Sequence, residues 1–345
     1  MMRTNDLKRL ESSVHSFEVS IDRTIKKIDE LLQKIDHFED NFDEYTRPEL
    51  FKDQGEEEEA ELLERLMVGK KLPIRLEHLE RGEWKKDLMK DRTQLIAIHE
   101  KAAAVTPDRD AKLKELKRLI QDKVNQPLND DNRKVLVFTA FSDTAQYLYA
   151  NLKDWLSEDL GLHSALVTGT GNNRTTFKQS GYVRQTDFIS ILTNFSPRSK
   201  LREKMPNMPQ EGEIDILIAT DCISEGQNLQ DCDYLINYDI HWNPVRIIQR
   251  FGRIDRLGST NKQIQLVKFW PTDDLNQYIN LKDRVEARME KYSDLLTKVI
   301  NAIVRTFQKR TAAGLQSGRN FIIPDKAEQT SGTSDFELVT WLVIK

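Results

Sequence analysis

Cysteine is almost absent from this chain: its 345 residues include two, Cys222 and Cys232. Their spacing matches no zinc pattern, so both read as small buried side chains in a reducing compartment. Long apolar runs are missing as well. No stretch approaches the ~18 residues of a membrane-crossing helix, and the opening MMRTNDLKRLESS has no apolar core of a signal peptide. These absences point to a cytoplasmic protein without a membrane partner. Neither sign of charge dominates: 52 Lys and Arg stand against 56 Asp and Glu. Binding to a polyanion must therefore come from local patches. No G-x-x-x-x-G-K-[ST] loop occurs, and Gly69-Lys70-Lys71 lacks both the earlier glycine and the hydroxyl of that phosphate cradle. No apolar strand ends in an Asp-Glu pair suited to Mg²⁺, since Asp43-Glu44 lies in a polar stretch. Isolated His163 and His241 give no metal site.

What is present divides into three parts. Residues 1–125 are helical and acidic. Leu7, Leu10, Val14, Phe17, Ile21, Thr24, Ile28, Leu31, Ile35 and Phe38 recur in steps of three and four. That is the seam of a coiled coil or helical hairpin, closed within the chain or by self-association. The pattern breaks near Pro48, where Gly55 and the run Glu56 to Glu59 follow. Thr106-Pro107-Asp108 reads as a helix start, with a capping hydroxyl and Pro at the first helical position. Residues 126–271 change character. Short apolar runs near 134–138, 163–167, 214–219, 234–238 and 264–269 alternate with helical stretches. This predicts an α/β fold, a parallel sheet with helices on both faces. Residues 272–345 are expected to form a helical extension, ending on an apolar stretch from Phe336 to Ile344 whose packing the pattern leaves open.

In open parallel sheets, ligands bind at the carboxyl ends of the strands. The predicted strands place three polar segments there: Thr139 to Ser142, Thr220 to Asn228, and His241-Trp242-Asn243-Pro244. Pro244 fits the first position of a helix capped by Asn243. That helix carries Arg250, Arg253 and Arg256, three apart and so on one face. A planar guanidinium, always charged, suits a phosphate better than any other side chain. Arg198, Lys200, Arg202 and Lys204 add a small basic cluster before the third strand, which a solvated charged stretch would also produce.

Taken together, these segments resemble the C-terminal RecA-like lobe of superfamily-two helicases. Within them they are most similar to the Swi/Snf-type DNA translocases, the family of the bacterial ATPase that recycles RNA polymerase. Lys134 to Ser142 resembles motif IV, and Thr220-Asp221 through Gly226 and Asn228 resembles motif V. Gln249, Gly252, Arg253 and Arg256 match motif VI, and Asp239 to Pro244 resembles the Asp-x-x-Trp-Asn-Pro segment of the Swi/Snf branch. The resemblance implies that Arg253 and Arg256 reach ATP phosphates, with Arg256 as the arginine finger, and that Gln249 steadies them. It implies that Gly226 and Asn228 approach the ribose. Glu225 departs from the Arg of many helicases at its place. Thr139, Ser142, Thr220, Arg198, Lys200 and Trp242 would line the nucleic-acid track, although Trp242 equally suits a buried support for the arginine helix. The partner would be DNA, with RNA as the alternative. ATP with Mg²⁺ would also need a first lobe bearing the cradle missing here. The chain then reads as a C-terminal fragment or one subunit of a split enzyme, inactive as an ATPase by itself. A non-catalytic module binding nucleic acid or protein on a RecA-like scaffold is the alternative.

Overall fold

The computed structural model describes residues 2–41, 67–69, 74–169, 171–179, 185–223, 226–239, 244–255, 259–271 and 336–344. The chain separates into two compact units, residues 17–105 and residues 1–16 with 106–345. The sheet unit therefore takes in α1 (Met2–Ser12) and α4 (Ala111–Asn125), which composition had grouped with the helical first third.

The 17–105 unit is built on α2 (Val14–Asp40) and α3 (Arg81–Ala103), with a short ribbon of β1 (Met67–Val68) and β2 (Ile74–Arg75). Arg92 Nε meets Asp29 Oδ1 at 2.5 Å, Lys85 meets Glu39 at 3.2 Å, and His99 lies 3.5 Å from Glu18. Partners rise along one helix as they fall along the other, so the helices run antiparallel. Ile35, Phe38 and Leu76 are buried between them, with Trp84 and Leu88 alongside. The apolar seam thus closes within the chain here. It is not one continuous helix, because the chain breaks at Ser13, whose hydroxyl accepts from Ser16 N at 3.0 Å and caps α2.

In the sheet unit, β3 (Val135–Phe138), β4 (Ser164–Val167), β6 (Ile216–Ala219), β7 (Tyr234–Asn237) and β8 (Gln263–Pro271) are parallel neighbours in the order β4-β6-β3-β7-β8. A short antiparallel β5 (Arg174–Thr175) lies beside β4. At the other margin β9 (Phe336–Ile344) pairs antiparallel with β8 over its whole length. The helical reading of the C-terminal extension fails for these nine residues, where FELVTWLVI is dense in β-branched and aromatic side chains that favour strands. The rest of that extension, and the Glu56 to Glu59 run, lie outside the described residues.

Period-two alternation divides the strand side chains between two cores. Val135, Val137, Ile216, Ile218 and Ile236 pack with α4 and with α5 (Ser142–Glu158) on one face. Leu136, Phe138, Leu217, Ala219 and Leu235 pack on the other with α6 (Phe188–Phe195) and with Ile254 of α7 (Pro244–Ile254). The α/β architecture with helices on both faces is as expected. One boundary moves. Thr106-Pro107-Asp108 opens only a single 3₁₀ turn, and α4 starts at Ala111, capped by the Asp110 carboxylate on Leu113 N at 2.9 Å. Asp110 is the better cap because its second oxygen also accepts from Tyr147 at 2.8 Å.

Candidate nucleotide and nucleic-acid site

The parallel register aligns the carboxyl ends of β3, β6 and β7, with Phe138 level with both Ala219 and Asn237. The segments that leave those ends therefore meet on one edge. Thr139 N donates to Ala219 O at 3.0 Å, and Thr220 N to Val167 O at 3.1 Å.

On this edge the three motif segments lock together through a side chain that the sequence placed among the phosphate-facing arginines. Arg250 is fully buried. Its Nε donates to Asp221 Oδ1 at 2.8 Å, its Nη1 donates to Asn237 Oδ1 at 2.7 Å, and its guanidinium lies 4.8 Å over the Phe138 ring. It is thus a bolt joining α7 to β6, β7 and β3. Helical spacing alone cannot separate it from Arg253. The difference lies in burial: position 250 faces the strands, and Asp221 and Asn237 stand at the ends of two of them.

Arg253, one turn on, is half-buried, and its Nη1 donates to the Gln227 carbonyl at 3.4 Å. Its own carbonyl accepts from Leu229 N at 3.0 Å, so the turn 226–229 is stitched to α7. Gly226 has φ of 73°, the left-handed region where only glycine is unstrained. A Cβ there would meet no described atom within 4 Å, and the same holds for Gly252 on α7. Gln249 lies one turn before Arg253, on the same face. Gln249 Oε1 and Asn228 Oδ1 are both buried, and neither has a hydrogen-bond partner among the described residues. Arg256, Trp242 and Glu225 fall outside the described residues.

The expected track residues fare unevenly. Thr139 is fully buried with its hydroxyl 2.5 Å from Asp239 Oδ2, so it faces inward rather than toward a phosphate. Asp239 is also buried, and Ala140 N donates to it at 2.9 Å. Ser142 is half-buried at the start of α5, its hydroxyl accepting from Gln146 at 3.2 Å. Thr220 is buried, with its hydroxyl 3.4 Å from Cys222 Sγ. The basic cluster disperses. Arg202 is buried, donating to Asn194 Oδ1 at 3.1 Å and Gly212 O at 2.8 Å. Burial lowers its pKa. Lys200 reaches Gln227 Oε1 at 2.8 Å, beside the Arg253 contact. Arg198 turns to the amino ends of the strands, where it lines a polar cavity of about 600 Å³ with Lys134, Asp231 and Lys262. Among the described residues no group of His, Cys, Asp or Glu is placed to hold a metal ion. Nor is any described helix long and apolar enough to cross a membrane.

Residues 111–258 match the family described as "Helicase conserved C-terminal domain". This stretch is the C-terminal lobe of a superfamily-two helicase. The match begins at α4, which explains why that helix packs on the sheet. The chain is 32% identical over 174 residues to the "Uncharacterized ATP-dependent helicase YqhH" of Bacillus subtilis, covering 50% of this chain and 25% of that protein. It is 31% identical over 117 residues to "ATP-dependent RNA helicase RhlB" of Xanthomonas axonopodis pv. citri, covering 33% of this chain and 20% of that one. The chain thus spans about a quarter or less of these relatives. Among solved structures, the C-terminal part of the Fun30 ATPase domain aligns with a TM-score of 0.32 at 20% identity, covering 48% of this chain and 44% of that one. Dbp5 of S. cerevisiae, bound to RNA, aligns at 0.30 and 19%, covering 50% and 36%.

Proposed function

We propose that this chain supplies the second lobe of an ATP-driven translocase of the Swi/Snf type that moves on DNA. The observation that carries this reading is a pair of buried oxygens near Arg253 that find no donor among the described residues. A buried acceptor without a donor costs about 1–3 kcal/mol. Two of them belong to residues next to the Arg253–Gln227 contact: Gln249, one helical turn before Arg253 on α7, and Asn228, which follows Gln227. Such acceptors fit hydroxyl donors, as on a ribose or an ordered water, and the guanidinium fits phosphate oxygens. The residues present therefore fit the far side of a nucleotide held mainly by another lobe.

ATP bound at that lobe would supply the phosphoryl group whose transfer drives the cycle. Mg²⁺ would be held by carboxylates of the first lobe. On this chain, Arg253 and Arg256 neutralise phosphate charge, an effect worth about 10³-fold or more for an arginine finger. Gln249 and Asn228 orient what lies between them. Gly226 and Gly252 leave room for its approach. Arg250 holds α7 against the ends of β6 and β7. Lys200, Ser142 and Thr220 would line the nucleic-acid track, with Thr139 supporting them from within.

The test is complementation. Mixed with the separately expressed first lobe of a close relative, the chain should give ATP hydrolysis that duplex DNA stimulates, while the chain alone hydrolyses none. Arg256→Ala should abolish turnover and spare DNA binding, which should weaken steeply with salt. Stimulation by RNA in place of DNA would reassign the substrate. Binding without any ATPase under these conditions would favour a non-catalytic module.

A further inference from the structure

The Asp239 carboxylate, on the ligand edge and next to the entry of α7, takes three donors. Two belong to the neighbouring strand end, Thr139 Oγ1 and Ala140 N. The third is Ser12 Oγ at 2.7 Å, from the last residue of α1 and far outside the matched region 111–258. Ser12 is fully buried and also sits 2.8 Å from Thr144 Oγ1. Ser13 lies 3.0 Å from the same hydroxyl. Arg9 pairs with Asp143 at 2.8 Å and lies 4.8 Å over Phe141. The end of α1 therefore touches the whole motif IV turn. A second element holds it there: Lys112 Nζ donates to the carbonyls of Glu11 at 2.7 Å and Ser12 at 3.2 Å. Lys112 belongs to the first turn of α4, where the chain has just come back from the 17–105 unit. The outgoing chain starts α2 two residues after Ser12. Both chain crossings between the units are thus tied at one point, and that point is hydrogen-bonded to Asp239.

We propose that α1 is a latch: docking of Ser12 on Asp239 steadies the arginine helix α7, so that the helical 17–105 unit governs the arginine site through its two chain crossings. A partner or a lobe movement that pulls on either crossing withdraws one of the three donors. Asp239 then turns, and α7 with Gln249, Arg250 and Arg253 loosens with it. Ser12 is a positioning residue in this scheme and touches no ligand.

Hydrogen exchange on the full chain tests the latch without any nucleotide, and so independently of the proposed ATP chemistry. Ser12→Asp sets a second carboxylate against Asp239. Exchange in residues 244–255 should quicken about tenfold or more, together with α1 and the 139–144 turn, while β4 and β6 stay at wild-type rates. Arg9→Ala removes only the outer contact and should quicken α1 alone. If Ser12→Asp releases α1 but leaves 244–255 at the wild-type rate, the latch is refuted. Should Ser12→Asp also quicken β4 and β6, Ser12→Ala decides by the same comparison of 244–255 with the central strands.

Discussion

Arg250→Ala should be among the most destabilising single changes in the helicase domain. The side chain is fully buried and bound at 2.8 Å to Asp221 and 2.7 Å to Asn237, with Phe138 beneath it. Removing one partner of a buried ion pair leaves the other uncompensated, which costs about 3–5 kcal/mol. Asp221 keeps 27% of its side-chain surface and can recover some hydration, so the lower end applies, about 3 kcal/mol. For a unit of this size that lowers the melting temperature by roughly 6–12 °C. Urea unfolding followed by circular dichroism measures it. The double mutant Arg250→Ala with Asp221→Ala should be less destabilised than the sum of the single changes by about 1–3 kcal/mol, as expected for contacting residues. Arg250→Lys should recover little, because an ammonium cannot serve two acceptors in the planar fork that 221 and 237 present. A loss under about 1 kcal/mol for Arg250→Ala, or strict additivity in the cycle, would refute the bolt.

Two further outcomes follow from the structure. Cys232 is completely buried, and burial pushes its thiol from 9.0 up to about 12. The folded protein keeps that proton where the unfolded chain has lost it. Stability is therefore whole below about pH 9 and falls as pH rises toward about 12, by about 1.4 kcal/mol per pH unit at most. Cys232→Ala should flatten the fall in a pH series of urea midpoints. Burial raises Tyr234 too, which steepens the decline above its ordinary 10.0. Gly252→Ala fills open space on a helix, so it should leave stability equal or raise it by about 0.5–1 kcal/mol while abolishing complementation by a first lobe. Full ATPase activity in that variant would show that nothing approaches α7 at this point.

The sheet was legible because each buried strand is a short apolar run between polar turns, and VLVF, ILIA and YLIN need both faces covered. Spacing also found the arginine helix and the 226–229 turn. It could not rank the arginines, since Arg250 and Arg253 look alike until the strand ends supply Asp221 and Asn237. The basic cluster misled for the same reason. A row of cations on paper includes Arg202, whose partners, the Asn194 side chain and the carbonyls of Gln210 and Gly212, only the fold brings to it. Thr139 looked like a phosphate ligand because its burial depends on Asp239 and Ser12, residues remote along the chain. The Ser12 contact had no local signature at all: a serine ending an amphipathic stretch is ordinary until the fold brings it to a carboxylate.

The pairing of β9 with β8 bears on where this polypeptide can be divided. A version trimmed to the matched region would stop short of β8, and one trimmed after Pro271 would leave that strand with a bare flank of nine residues of amide and carbonyl groups. Such a flank recruits whatever extended chain is nearby, including other copies of itself. The final segment is thus a selvedge on the cloth, and the helicase domain is safest to isolate with it still attached.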